Sequence, residues 1–154
     1  MAGFIEGVSQ DQTLFPERLD DWIGEDHLVR VVDLFVDQLD LIALGFRRHA
    51  AARTGRPGYH PAVLLKLFIY GYLNRIPSSR RLECEAGRNV ELMWLTGQLV
   101  PDHKTIADFR RQNGPAIRKT CAKFVELCRR IGVLKGAVVA VACCRFGGQR
   151  VKLA

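Results

Sequence analysis

The sequence predicts a mainly α-helical bundle with a helix-turn-helix-like segment, followed by one β-strand without a partner. Three observations carry this expectation. A nearly continuous apolar run, Ala62–Arg75, stands directly behind Pro61, where proline opens a helix. Short segments with their own caps, punctuated by Pro77, Gly87, Gly97 and Gly114, lie between two longer helical stretches. The run Ala137–Cys144 then changes character, being rich in valine. The expected organisation is an extended arm at 1–16, a helical domain at 17–136 and a single strand with its tail at 137–154.

The first long helix begins at His27, with Asp26 as its N-cap and Leu28, Val31, Val32, Phe35, Val36 and Leu39 at helical spacing, and ends near Asp40 or Leu41. Its acids face outward. Residues 47–60 read as a basic loop broken by Gly55, Pro57 and Gly58. The helix after Pro61 is apolar on most sides and belongs at the centre of the bundle. Ser78 or Ser79 caps a short helix at Arg80–Ala86 that Gly87 closes. Asn89 caps Val90–Leu95, anchored by Met93 and Trp94 and ended by Gly97. After Gly114, Pro115–Ile131 is amphipathic, with Ile117, Cys121, Phe124, Val125, Cys128 and Ile131 on one stripe. The strand at 137–144 has no ladder partner and would present an open edge.

Composition narrows the function classes. The chain has 154 residues, 48% hydrophobic and 25% charged, which suits one folded domain rather than a disordered segment. The N-terminus lacks the pattern of a signal peptide, and the apolar runs near Leu64–Tyr72 and Ala137–Cys144 are too short or interrupted to span a bilayer. A soluble intracellular protein without a membrane partner is expected. The five cysteines include no CxxC pair, and Cys121 and Cys128 fall on one helix face. Reduced, mostly buried thiols are expected rather than a disulfide or zinc framework.

The net charge of +7 conceals a gradient. Residues 1–45 hold ten acids against two bases, whereas residues 46–81 hold eight bases and no acid. Such a body favours a polyanionic partner. The stretch Pro101–Asn113, PDHKTIADFRRQN, concentrates the signal. Thr105 fits the N-cap with Asp108 three residues on, and Ile106 and Phe109 share an anchoring face. Lys104, Arg110, Arg111, Gln112 and Asn113 then project outward, as a helix that reads a DNA groove requires.

The segments LFPERLDDWI (14–23), GRPGYHPAVLLKLFIYGYLNRI (55–76), SSRRLECEAGRNVELMWLTG (78–97) and PDHKTIADFRR (101–111) together resemble the N-terminal region of bacterial insertion-sequence transposases of the DDE type. The resemblance runs almost continuously from Leu14 to Phe146. It implies a helical N-terminal domain ahead of an RNase H-like catalytic domain whose three acids hold Mg²⁺. The strand at 137–144 corresponds to the first strand of that domain. At position 142, where the family places its first catalytic Asp, this chain has Ala142, followed by Cys143 and Cys144. A methyl side chain ligates no metal, and thiols are poor ligands for Mg²⁺. The chain also stops at Ala154, before a second Asp or the Glu. The expectation is therefore a truncated, catalytically inactive relative without a cofactor of its own.

The resemblance implies double-stranded DNA at the element's ends as the partner and the bacterial cytoplasm, at the nucleoid, as the location. The candidate contacts are Arg110 and Arg111, with Lys104 and Thr105 at the helix start and Arg80, Arg81 and Arg88 flanking. Phosphate contacts would position the protein and base-edge contacts would specify sequence. Three other readings stand beside this one: an interaction module that forms homo-oligomers or docks on full-length transposase and inhibits it, an active Mg²⁺-dependent nuclease, and a decayed reading frame without function.

Overall fold

The structure, a computed structural model, describes residues 18–46 and 58–132. These fold into six α-helices: α1 (Leu19–Trp22), α2 (Leu28–Asp37), α3 (Pro61–Leu73), α4 (Ser79–Arg88), α5 (Val90–Thr96) and α6 (His103–Arg130). The mainly helical class is as the sequence predicts. The arm at 1–16, most of the basic loop at 47–60, and the strand at 137–144 with Ala142 lie outside the described residues.

Helix α3 occupies the centre. Pro61 sits in its first turn, and Leu64, Leu65, Leu67, Phe68, Ile69 and Tyr70 are all buried. Helices α2, α5, α6 and α4 pack around it. Burying so many large side chains on one 13-residue helix supplies much of the hydrophobic driving force. Gly71 lets α4 approach: a Cβ there would stand 2.8 Å from Leu82 Cδ2 and 3.2 Å from the Ile76 carbonyl. An aromatic column joins segments far apart in sequence, with Phe109 stacked between Phe46 (5.9 Å) and Phe68 (5.8 Å). Phe35 meets Phe124 edge-on at 5.1 Å.

Several local expectations hold and others need correction. Ser78 caps α4, Asn89 caps α5, and Gly97 ends α5 in the left-handed conformation at φ 63°. The N-cap of α2 is His27, not Asp26, because the His27 ring nitrogen Nδ1 accepts from the Val29 N–H at 3.2 Å. That helix ends at Asp37, short of Asp40, whose carboxylate instead accepts from the Ile42 and Ala43 N–H groups. Helix α4 runs through Gly87 to Arg88, and Asn89 ends it. In α5 the core anchors are Leu92 and Leu95, while Met93 and Trp94 are half-buried. Ile131 is exposed rather than part of the core stripe.

The largest correction concerns α6. The two helices expected on either side of Gly114 are one 28-residue helix with a kink at Asn113, where the backbone leaves helical geometry (φ −122°, ψ 17°). Pro115 accounts for the kink, since it lacks an N–H and crowds the preceding turn. The Asn113 side chain donates to the Phe109 carbonyl at 3.2 Å, in the turn before the break. Beyond it, Ile117, Cys121, Phe124 and Cys128 are buried as predicted. Burial pushes the Cys121 thiol up to about 12 and raises that of Cys128 as well. Cys84 departs from the expected burial and is exposed.

The acids of α2 do not all face solvent. Lys66 of α3 reaches Asp33 at 2.6 Å and Asp37 at 2.8 Å, with only 12% of its side chain exposed. Burial pulls the Lys66 ammonium down, but the two carboxylates outweigh it and hold its pKa above the ordinary lysine value. A raised lysine pKa means stabilisation that is complete below the unfolded value of about 10.4 and fades as pH rises through the folded one. Lys66→Met is accordingly expected to cost about 1–2 kcal/mol at pH 7, between exposed and buried ion pairs. That difference from the parent should shrink in urea unfolding carried out above pH ~10.5.

Candidate nucleic-acid interface

Cations near the acidic N-terminal segment are committed to folding. Arg30 donates from Nη2 to the Ile23 carbonyl (2.8 Å) and from Nε to the Gly24 carbonyl (3.1 Å), pairs with Asp20 at 2.9 Å and lies 5.1 Å over the Trp94 ring. The Trp94 indole N–H donates to Asp20 at 2.9 Å, and with Arg30 it holds that carboxyl below the usual range. Arg30 and Trp94 thus clamp α1 onto α2 and α5.

Two contacts set the geometry of α4 against α6. Arg110 donates from Nη2 to the Pro77 carbonyl at 2.9 Å, just before the α4 cap, while Nδ1 of His103 meets Glu83 at 2.8 Å. Because residue 77 faces 110 and residue 83 faces 103, the two helices run antiparallel. Arg110 is therefore not the outward-pointing contact expected. It is half-buried, its guanidinium stands 5.1 Å over the Phe68 ring, and burial lowers its pKa. Asn113, also expected at the surface, is 3% exposed. Thr105 is a cap partner and not the cap itself: Asp102 accepts from the Thr105 N–H at 3.3 Å and from its hydroxyl at 2.5 Å. That hydroxyl bond is the main cause of a lowered Asp102 pKa.

At 100° per residue, the remaining candidates separate onto two surfaces. On α6, the buried side is marked by Ile106, Phe109 and Asn113, and the side toward α4 by His103 and Arg110. Lys104, Ala107 and Arg111 therefore follow the edge of α6 that continues outward from α4, and all three are exposed. On α4, Leu82 and Ala86 face the core and Glu83 faces α6, so exposed Arg80 and Cys84 line the adjoining outer edge. Arg80, Lys104 and Arg111 thus border one solvent-facing seam. Arg81 and Arg88 lie elsewhere, on an α4 stripe shared with Glu85, which pairs with Arg88 and whose carboxyl is held low chiefly by it. Arg111 is exposed and pairs with Asp108 at 2.8 Å, an exposed i,i+3 pair of little strength.

The second half of α6 carries cations that the sequence reading passed over: Arg118, Lys119, Lys123, Arg129 and Arg130, all exposed. The signal was present as the complement of the apolar stripe, since only Glu126 opposes them on the outer side. The acids on α4 to α6 do not fit a divalent-metal site, because each named one is already engaged. Glu83 holds His103, Glu85 holds Arg88, Glu91 accepts from the Tyr70 hydroxyl, Asp102 caps α6 and Asp108 holds Arg111. Among the described residues no group of His, Cys, Asp and Glu converges to hold a metal ion, and no helix is long and apolar enough to cross a membrane.

Residues 17–112 match the family model described as a transposase domain (DUF772), more than half of the chain. The chain belongs to this transposase-domain family. The chain matches no curated protein and no solved structure. The match begins just before α1 and ends one residue short of the kink, so it takes in the α4–α6 seam and the whole of the first half of α6. The transposase domain is thus the part of the chain that holds Arg80, Lys104 and Arg111. This gives the chain a transposase-related role.

Proposed function

We propose that this transposase domain binds double-stranded DNA through the outer edge of the α4–α6 seam, and that the chain carries out no strand transfer itself. The supporting observation is the convergence of Arg80, Lys104 and Arg111 on one side of two helices whose relative position Arg110 fixes. Helix α5, residues 97–102 and the first half of α6 follow one another as helix, connection and helix, with α6 packed on α3 and α4. Lys104 and Arg111 stand two helical turns apart, and Ala107 between them leaves room for close approach of a groove wall. Arg81 and Arg88 contribute to the general positive field. The absence of strand transfer rests on Ala142, which offers no ligand where the family's first metal-binding Asp belongs.

The test is fluorescence anisotropy with duplexes copied from the DNA that flanks the reading frame and with scrambled controls. The proposal expects tighter binding to the flanking sequence, with log affinity falling linearly against log salt concentration. Equal affinity for both duplexes would remove sequence recognition, and absence of binding at low salt would remove DNA as the partner. A second reading, docking on another transposase chain, draws on the exposed acids Asp21, Glu25 and Asp26 around the α1–α2 turn. Self-association by a chain that shows no affinity for duplex would favour it.

A further inference from the structure

We infer that the outer face of the second half of α6 is a separate phosphate-backbone contact surface, engaging the same duplex beyond the part held at the α4–α6 seam. The inference rests on the DNA-binding reading and assigns it five further residues. Beyond the kink, the core side of α6 is fixed by Ile117, Thr120, Cys121, Phe124 and Cys128. Measured from that side at 100° per residue, the exposed positions fall into two rails. Arg118 and Arg129 form one rail, and Lys119, Lys123 and Arg130 form the other. Between the rails run Pro115, Ala122 and a single acid, Glu126.

The charge state of this face sets it apart from the acidic end of the molecule. Arg30 and Lys66 are tied to carboxylates there, whereas none of these five cations makes an ion pair or hydrogen bond among the described residues. Lys119 and Lys123 are a like-charged i,i+4 pair on one rail, so the free helix carries repulsion that a polyanion relieves. Two rails about a low central strip suit a strand of phosphates, which is recognised by charge rather than by sequence. Twenty-six residues separate Lys104 from Arg130, or about 40 Å of helix at 1.5 Å per residue. That length compares with about 12 base pairs of duplex, so one DNA molecule is long enough to meet both halves.

The experiment compares the full chain with Lys119→Gln/Lys123→Gln and with Arg118→Gln/Arg129→Gln on a duplex of about 20 base pairs. Affinity is read by anisotropy from low to moderate salt and folding by thermal melting without DNA. Each double variant is expected to flatten the slope of log affinity against log salt by about 0.9 for each contact removed, and so by up to ~1.8. Both variants should melt close to the temperature of the parent at low salt, which separates lost contacts from lost structure. Any preference for flanking over scrambled DNA should persist, because this face reads no bases. An unchanged slope in both variants would overturn the inference while leaving the seam intact. A change in self-association without a change in slope would assign the face to an acidic protein surface instead and overturn it equally. If the parent chain binds no duplex at low salt, the DNA-binding reading itself fails, a result distinct from either of these.

Discussion

Phe109→Ala is expected to lower the unfolding free energy by about 3–5 kcal/mol in urea denaturation, as removal of a large buried aromatic does. Phe109 stands between Phe46 and Phe68, so two distant chain segments lose a packing partner at once. The aromatic column therefore depends on this one side chain. Domains of this size have total stabilities of about 5–15 kcal/mol, so the variant should lie near the edge of folding. A loss below about 1 kcal/mol would contradict the packing described.

The second large effect separates two neighbouring arginines. Arg110→Ala is expected to cost about 2–3 kcal/mol of stability, because it removes a charged hydrogen bond to the Pro77 carbonyl and a desolvated cation over the Phe68 ring. Arg111→Ala should change stability by less than about 0.5 kcal/mol, since its ion pair with Asp108 is exposed. DNA binding should divide them in the opposite sense. Arg111→Ala should reduce the salt slope by about 1, as loss of a phosphate contact does. Arg110→Ala should weaken binding with the slope unchanged, because it loosens the start of α4 instead of removing a contact. Arg110→Lys should not restore it fully, since an ammonium cannot stack as a planar guanidinium does.

Why one arginine was legible and its neighbour was not follows from the range of the forces that place them. Rules acting within a few residues located Pro61 at the head of α3, Ser78 and Asn89 at their caps, and Gly97 at the end of α5. The centrality of α3 was legible because nearly every position in it is apolar. Arg110 sits at the border of the Ile106–Phe109 face, and its position depends on Phe68 and Pro77, which lie far away in sequence. Periodicity cannot reveal such a destination. Asn113 was misplaced for another reason: ending a helix at Gly114 concealed that Ile106, Phe109 and Asn113 continue a single face. Asp26 and His27 can each accept at a helix start, and only backbone geometry chooses between them. The family itself was legible because several long segments occur in order, and the matched range 17–112 spans most of them. Arg118, Lys119, Lys123, Arg129 and Arg130 could have been identified by asking what covers the back of the apolar stripe.

The most direct test of DNA binding at the seam between α4 and α6 is a salt titration of duplex binding by the parent chain beside Arg80→Gln/Lys104→Gln/Arg111→Gln. The seam predicts a folded variant whose affinity falls at least tenfold at 100 mM salt, with a slope flatter by about 2–3 for three lost contacts. A folded triple variant that binds with the parent's affinity and slope would place the DNA elsewhere on the molecule and contradict the claim.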